Sequence, residues 1–182
     1  MVTLKQLIQE ASLSRVYTHT KGRNIGMITA HRGEYTAEEN KQRNSQLESD
    51  IRKHGLGFVK VKGRYIENHG TPNAKSVDEE SYLVIGKHGH DNGHLKGFLQ
   101  THGEKYGQDS VLHKAHDEDD AKLIGTREGG YPGHEKEVSV GKWHPNRAGE
   151  FHTAMKGGKT FAFESIEFVK PKSFSSREEL LF

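Results

Sequence analysis

The sequence contains no cysteine, a single tryptophan, four prolines and no long apolar run. The absence of cysteine excludes disulfide frameworks, thiolate zinc sites and cysteine nucleophiles, and it fits a reducing cytosol. No segment approaches the roughly 18 apolar residues that a membrane-spanning helix needs. The N-terminus also lacks the basic region, apolar segment and small-residue cleavage site of a secretory signal. We therefore expect no membrane partner and no conventional secretion.

Apolar residues are scarce as well, at 31% of the chain against 29% charged residues. With 182 residues, the chain is long enough for one domain with a compact core and too short for two independently stable ones. Lysine and arginine number 27 against 25 acidic residues, and both signs are interspersed along the chain. Nucleic acid is therefore not strongly indicated as a partner.

The hydrophobic pattern predicts a single α+β domain with a central, mostly antiparallel sheet, two to three helices and a long glycine-rich loop region over 127–159. Thr36 and Glu39 form a capping box that begins a helix reaching His54, and a second helix begins at Asp91 or Asn92 and ends at Gly107. The polar segment 67–78 is predicted to be a loop. The domain spans 14–170, between an amphipathic helix over 3–13 and a polar tail over 171–182. Strands are predicted at 25–30, 56–66, 80–86, 109–113, 121–126, 137–143 and 160–169.

The inward face of the first long helix is unusually polar, because Asn40 and Asn44 precede Leu47 and Ile51 on one stripe. Buried amides need hydrogen-bond partners, which are either the backbone of neighbouring loops or a ligand, and both readings stay open. Other polar side chains follow predicted strand ends, where a rigid scaffold most often presents binding groups. A catalytic residue cannot be assigned. The ligand-binding candidates are His31, Arg32, Asn40, Arg43, Asn44, Glu80, Gln108 and Asp109.

Histidines offer a second candidate site. His88, His90 and His94 are spaced so that two or three imidazoles could reach one divalent metal ion. Thirteen histidines make such spacing common by chance, so a metal cofactor is a secondary expectation. The stretch from Trp143 to Asn146, taken with His152, loosely resembles a histidine-asparagine-histidine nuclease, whose imidazoles serve as base and metal ligand.

Four motifs between residues 27 and 114 occur in an order that resembles an uncharacterised family of small bacterial and phage proteins. The resemblance implies a mixed sheet with helices and a polar cluster where the motifs meet, and it implies no named reaction. His31-Arg32 replaces the tryptophan or proline that this family has after its first strand. The motifs are Ile28-Thr29-Ala30, then Glu39-Asn40 with Arg43-Asn44 and Leu47, then Glu80-Ser81-Tyr82-Leu83-Val84, then Tyr106-Gly107-Gln108-Asp109-Ser110-Val111-Leu112.

The first eleven residues resemble the capsid-targeting leader of internal head proteins in large tailed phages. The resemblance implies that a maturation protease would cut after the triplet Ile8-Gln9-Glu10, between Glu10 and Ala11. A detachable amphipathic helix could bury its apolar stripe on a scaffold core during assembly. The alternative is that this helix docks on the protein's own sheet.

We expect a tailed-phage accessory protein, packaged in the head and delivered to the host, which binds a host component or a small ligand. Its partner would be the phage head scaffold or a host protein, and its location the virion, the host cytoplasm or both. One alternative is an enzyme acting on a nucleotide or nucleic acid, such as a metal-dependent nuclease or a transferase, with His31 or Asp109 as base. A second is a structural virion accessory protein. Whether the chain is an enzyme stays open.

Overall fold

The computed structural model describes residues 21–67, 75–89, 91–145, 152–155 and 160–164. The predicted helix over 3–13, its cleavage candidate at Glu10 and Ala11, and the predicted tail over 171–182 lie outside the described residues, as do His90 and Asn146.

The described chain alternates strands with two helices. Strand β1 (Arg23–Ile28) precedes helix α1 (Ala37–Lys53), and strands β2 (Gly57–Glu67) and β3 (Lys75–His88) follow it. Helix α2 (His94–Lys105) follows β3. The remaining strands are β4 (Ser110–Lys114), β5 (Asp120–Gly125), β6 (Glu137–Pro145), β7 (His152–Met155) and β8 (Thr160–Glu164).

All observed strand pairs are antiparallel, and the sheet closes on itself as a barrel in the order β1-β3-β2-β7-β8-β6-β5-β4. Closure comes from β1, which pairs with β3 on one side and β4 on the other. The predicted single-domain α+β fold with a mostly antiparallel sheet is confirmed. Closure of the sheet was not predicted, because strand periodicity shows which residues face inward and says nothing of which strand comes next.

Helix α1 begins where the sequence predicts it. The Thr36 hydroxyl accepts a hydrogen bond from the Glu39 N–H at 3.3 Å, and the Glu39 carboxylate accepts one from the Thr36 N–H at 2.8 Å. Two N–H groups that the first helical turn leaves without a partner are thereby satisfied. The predicted capping box is confirmed, and it fixes the point at which the chain turns from β1 into α1.

Apolar side chains form two clusters on opposite faces of the sheet. Leu47 of α1 and Leu99 of α2 pack with Tyr82 and Val84 in the larger cluster, which covers the face that carries both helices. Leu83, which lies between Tyr82 and Val84, packs instead in the smaller cluster inside the closed sheet. This alternation is the period of two expected for a strand with both faces buried. The sheet is therefore a rigid support for whatever its strand ends present.

Three predictions of secondary structure are wrong in detail. The polar segment predicted as a loop over 67–78 is a strand from Lys75 onward, and the glycine-rich region contains β7 in addition to β6. Helix α2 has Gly93, in a left-handed conformation with φ of 76°, as its N-cap. Asp91 still serves this helix, because its carboxylate accepts a hydrogen bond from the Leu95 N–H at 3.2 Å.

Candidate functional site

The predicted polar residues meet at one end of the closed sheet. Strand β1 places Met27 opposite Leu83 of β3 and opposite Leu112 of β4. The chain leaving β1 therefore runs between the middle of β3 and the start of β4, and then turns into α1. We call this end of the sheet the rim, and it consists of Thr29–Arg32, Tyr35–Asn44, Glu79–Ser81, Gln108, Asp109 and Arg127.

Two asparagines of α1 hold the segment that leaves β1. The Asn44 side-chain oxygen accepts from the Ala30 N–H at 3.0 Å, and its amide group donates to the Glu80 carbonyl at 3.2 Å. The Asn40 oxygen accepts from the Arg32 N–H at 2.9 Å, and its amide donates to the Arg32 carbonyl at 2.9 Å. Both amides are buried, and both supply backbone groups that have no strand partner. They brace the rim and leave few of their own atoms for a ligand.

Arg43, which immediately precedes Asn44 in α1, also uses its side chain to bind main-chain groups. Its guanidinium donates to the Ala30 carbonyl at 2.7 Å and to the Tyr106 carbonyl at 2.7 Å. The same guanidinium lies 4.3 Å from the centre of the Tyr35 ring, within the range of a cation–π contact. Tyr35 is 41% exposed, so Arg43 supports an aromatic ring that faces solvent at the rim.

His31 and Glu79 form the most enclosed pair of ionisable groups at the rim. The Nδ1 atom of His31 lies 2.7 Å from a Glu79 carboxylate oxygen, with 27% of the His31 side chain exposed and 1% of the Glu79 side chain. The His31 N–H donates to the Thr29 hydroxyl at 3.1 Å, and the His31 carbonyl accepts from the Gln108 amide at 3.1 Å. The imidazole thus stands on a fixed backbone between solvent and a buried carboxylate.

A more exposed group of charges lies beside this pair. Asp109 is contacted by Arg127 at 2.5 Å and by Arg32 at 3.6 Å. Arg32 also donates to Glu34 at 2.8 Å, and this hydrogen bond holds the pKa of the Glu34 carboxyl below its usual value. Two guanidinium groups and two carboxylates thus offset one another, and half of the Asp109 side chain is exposed. Such exposed pairs contribute little to stability.

The structure brings all eight predicted ligand-binding candidates to the rim, in different roles. Glu80 takes part through its carbonyl, which accepts from Thr29 at 2.8 Å, while its side chain is exposed. Sequence reasoning missed Glu79, Tyr35 and Arg127. Glu79 shares a strand face with the buried Ser81, but both faces of β3 carry buried residues, so strand alternation alone does not separate Glu79 from Glu80.

The predicted histidine metal site lies elsewhere. His88 is at the far end of β3, and His94 belongs to a depression of about 340 Å³ beside α2, which His54 and Phe98 also line. In the part of the chain that the structure describes, no three histidine or acidic side chains are grouped closely enough to hold a metal ion. Of the nuclease-like residues, His144 and His152 lie opposite Ala162 from the two sides of β8.

Neither described helix has the length and apolar composition that a bilayer span requires. No curated protein sequence matches the chain.

A family model does match. The model of the S-adenosylmethionine lyase family aligns with residues 26–164, which is well over half of the chain and includes the whole rim. Among solved structures, a phage S-adenosylmethionine lyase in complex with S-methyl-5′-thioadenosine is similar at 16% identity, covering 66% of this chain and 89% of that one. The TM-score of that superposition is 0.35, too low to support a structural argument.

These matches correct the functional prediction. The expectation of a phage accessory protein that acts by binding a host component or a small ligand is wrong, because the family is one of enzymes. The alternative of an enzyme acting on a nucleotide fits better, since S-adenosylmethionine is a nucleoside derivative. The family match confirms that the chain belongs to a described protein family, whereas the resemblance to a head-protein leader gains no support.

Proposed function

Because the chain belongs to the S-adenosylmethionine lyase family, we propose that it cleaves S-adenosylmethionine without adding water. The observation that carries this proposal is the extent of the family match, residues 26–164, within which all the rim residues fall. We place the activity in the host cytoplasm, where S-adenosylmethionine is available.

The chemistry of the substrate favours one of its three carbon–sulfur bonds. The methyl group cannot leave without an external acceptor. The aminocarboxypropyl group carries its own carboxylate, which can attack the carbon next to sulfur and close a five-membered lactone. The electron pair of the broken bond goes to sulfur, which becomes neutral, and methylthioadenosine is released. No proton is transferred in this step, so the enzyme needs no general base.

In this reaction the attacking carboxylate and the sulfonium lose their opposite charges together. A protein charge held against either group would stabilise the substrate more than the transition state. The α-ammonium keeps its charge throughout, so a carboxylate can bind it without slowing the reaction. We assign that role to Glu79, the buried carboxylate of the rim, against which the substrate's ammonium group would take the place of the His31 imidazole; the attraction of Glu79 to a cation is weakly screened there.

Arg32 and Arg127 are already neutralised by Glu34 and Asp109, so we assign them no contact with the attacking carboxylate. The exposed ring of Tyr35 offers a flat apolar surface of the kind on which an adenine base stacks. The rim therefore supplies groups for both ends of the substrate.

The activity is tested by incubating the purified protein with S-adenosylmethionine in ¹⁸O-water and following products by mass spectrometry. We expect methylthioadenosine at a rate well above the protein-free control, and an aminocarboxypropyl product that carries no ¹⁸O at early times. Production no faster than in the protein-free control refutes the proposed function. Early ¹⁸O incorporation in proportion to methylthioadenosine indicates hydrolysis in place of lyase chemistry.

Glu79→Gln tests the assignment of the ammonium site. The change preserves side-chain shape and removes the charge, so we expect KM to rise about tenfold to a hundredfold, the loss typical of a charged hydrogen bond, with kcat little changed. Asp117→Asn is the matched control, because Asp117 is exposed in the turn between β4 and β5 at the opposite end of the sheet. Equal KM values in both variants would contradict the assignment.

A further inference from the structure

We propose that Tyr35 binds the adenine of the substrate and not its sulfonium, and that Arg43 is a positioning residue which holds the Tyr35 ring from the opposite face. This assignment rests on the proposed function. An exposed aromatic ring could either stack on the neutral base or face the sulfonium through a cation–π contact. The place of Arg43 decides between these two roles.

The Tyr35 ring has one occupied face and one open face. The guanidinium carbon of Arg43 lies 4.3 Å from the ring centre, so the guanidinium covers one face. Tyr35 is nonetheless exposed, and the part of the ring that solvent reaches is therefore its opposite face and its edge. A purine can stack on that open face at the rim.

The guanidinium beneath the ring is itself held in place. Arg43 donates to the Ala30 carbonyl and to the Tyr106 carbonyl, each at 2.7 Å. The Ala30 carbonyl belongs to the peptide bond that precedes His31. One guanidinium therefore contacts both the Tyr35 ring and the segment that carries His31, and it fixes the ring relative to that segment.

The backbone of Tyr35 is fixed by separate contacts. Its N–H donates to the Arg32 carbonyl at 3.2 Å, and its carbonyl accepts from the Asn40 amide at 3.1 Å. The turn thus anchors the residue, whereas the flat guanidinium of Arg43 supports the ring. A lysine at position 43 would keep the positive charge but present a compact ammonium without a flat surface.

The charge of Arg43 selects what the open face can bind. The guanidinium already uses the attraction between the ring and a cation. A second cation on the opposite face would be repelled by the guanidinium across the ring, whereas neutral adenine would meet no such repulsion. The base is therefore assigned to Tyr35, and the sulfonium and α-ammonium lie away from this ring.

Binding of methylthioadenosine to the full chain, measured by isothermal titration calorimetry, tests the role of Tyr35. This ligand keeps the adenine and lacks the sulfonium charge. We expect Tyr35→Ala to weaken its binding about tenfold, the loss typical of one stacked base, and Tyr35→Phe to stay within about twofold of the wild type. The KM for S-adenosylmethionine should rise in Tyr35→Ala by the same factor, because both ligands carry the same base.

Arg43→Lys tests the positioning role. We expect methylthioadenosine to bind about threefold to tenfold more weakly, and we expect no further loss when the change is added to Tyr35→Ala, because Arg43 acts through the ring. Arg52→Lys is the matched control: the Arg52 guanidinium lies 4.8 Å from the Phe58 ring, further along α1 and outside the rim, and its replacement should leave binding unchanged.

The outcomes separate the proposals. If the wild type neither binds methylthioadenosine nor cleaves S-adenosylmethionine, both the proposed function and the role of Tyr35 are overturned. Wild-type binding in Tyr35→Ala, or a loss for S-adenosylmethionine that exceeds the loss for methylthioadenosine, overturns the adenine assignment alone. Binding through Tyr35 without cleavage overturns the proposed function alone.

The role of Arg43 has its own refutation. An equal loss from Arg43→Lys with and without the Tyr35 ring would show that Arg43 supports the rim in general and does not position Tyr35. Thermal melting curves of all variants establish that each is folded. Tyr35→Ala changes an exposed side chain, so its measurement decides the adenine assignment even if Arg43→Lys lowers stability.

Discussion

Asp50 joins the two helices, and removing its charge should weaken the fold in a pH-dependent way. Its carboxylate, 7% exposed on α1, accepts from the Lys105 ammonium at 2.6 Å, the Tyr106 hydroxyl at 2.9 Å and the Gln46 amide at 3.1 Å. Burial by itself would raise the pKa of Asp50, but the hydrogen bonds outweigh it and lower the pKa from 3.8 to about 2. That difference corresponds to about 2 kcal/mol of folding free energy.

The way in which this contribution to stability changes with pH follows from the lowered pKa of Asp50. The folded protein holds the Asp50 carboxylate ionised more strongly than the unfolded chain does, so the contribution is fully present above a pH of about 4. It is lost as the pH falls from about 4 through about 2, the range in which first the unfolded chain and then the folded protein takes up the proton. Asp50→Asn should therefore reduce the free energy of unfolding by about 2 kcal/mol at pH 7, and the difference from the wild type should shrink below a pH of about 3.

Urea titrations followed by circular dichroism at pH 7, 4, 3 and 2 measure this difference directly. Comparing variant with wild type at each pH removes the effects that all other titrating groups share. Glu118→Gln is the control, because Glu118 forms an exposed pair with Lys122 and should change stability by less than about 1 kcal/mol. A difference for Asp50→Asn that is the same at pH 7 and pH 2, or absent at pH 7, would refute the reasoning.

Two further predictions concern the rim and the loop beside it. Asn44→Ala leaves the buried N–H of Ala30 without its acceptor, and we expect a loss of about 1–3 kcal/mol in denaturant unfolding, with a loss near zero contradicting the bracing role. Gly125→Ala should lower the melting temperature, because a Cβ there would overlap the Gly133 carbonyl. Gly97→Ala is the control: Gly97 lies within α2 with open space around it, so the change should stabilise the protein by about 0.5–1 kcal/mol. A higher melting temperature for Gly125→Ala than for Gly97→Ala would contradict the packing of this loop.

Local features were the ones that could be predicted from the sequence. The start of α1 depends on Thr36 and Glu39, three residues apart, so their pattern predicts it. The segment from Lys75 to Asp78 was predicted as loop because its stability as strand comes from a distant partner, β2. A signal was present in the charges: Lys62 stands opposite Glu80, Arg64 opposite Asp78 and Glu67 opposite Lys75. In an antiparallel hairpin the residue numbers of facing positions add up to the same total, so oppositely charged residues that obey this relation indicate such a hairpin.

In the candidate site, too, local features could be predicted and those that depend on distant parts of the chain could not. Polar residues next to predicted strand ends were expected to lie close together, and the structure places them at the rim, because a strand end is a local property. The sequence could not distinguish Glu79 from Glu80, since which of two adjacent carboxylates is buried depends on the register between β3 and its neighbours. The role of Asn40 and Asn44 as backbone partners likewise depends on contacts between separate elements.

The way in which α1 holds the residues after β1 has a consequence for evolution. The asparagines contact main-chain N–H and carbonyl groups of Ala30 and Arg32, which every residue except proline can provide. The course of the main chain at positions 31 and 32 is therefore set from outside this segment, by amides two helical turns apart at most. Any residue other than proline can follow that course, so a change of side chain at these positions alters what the rim presents while the backbone path is kept.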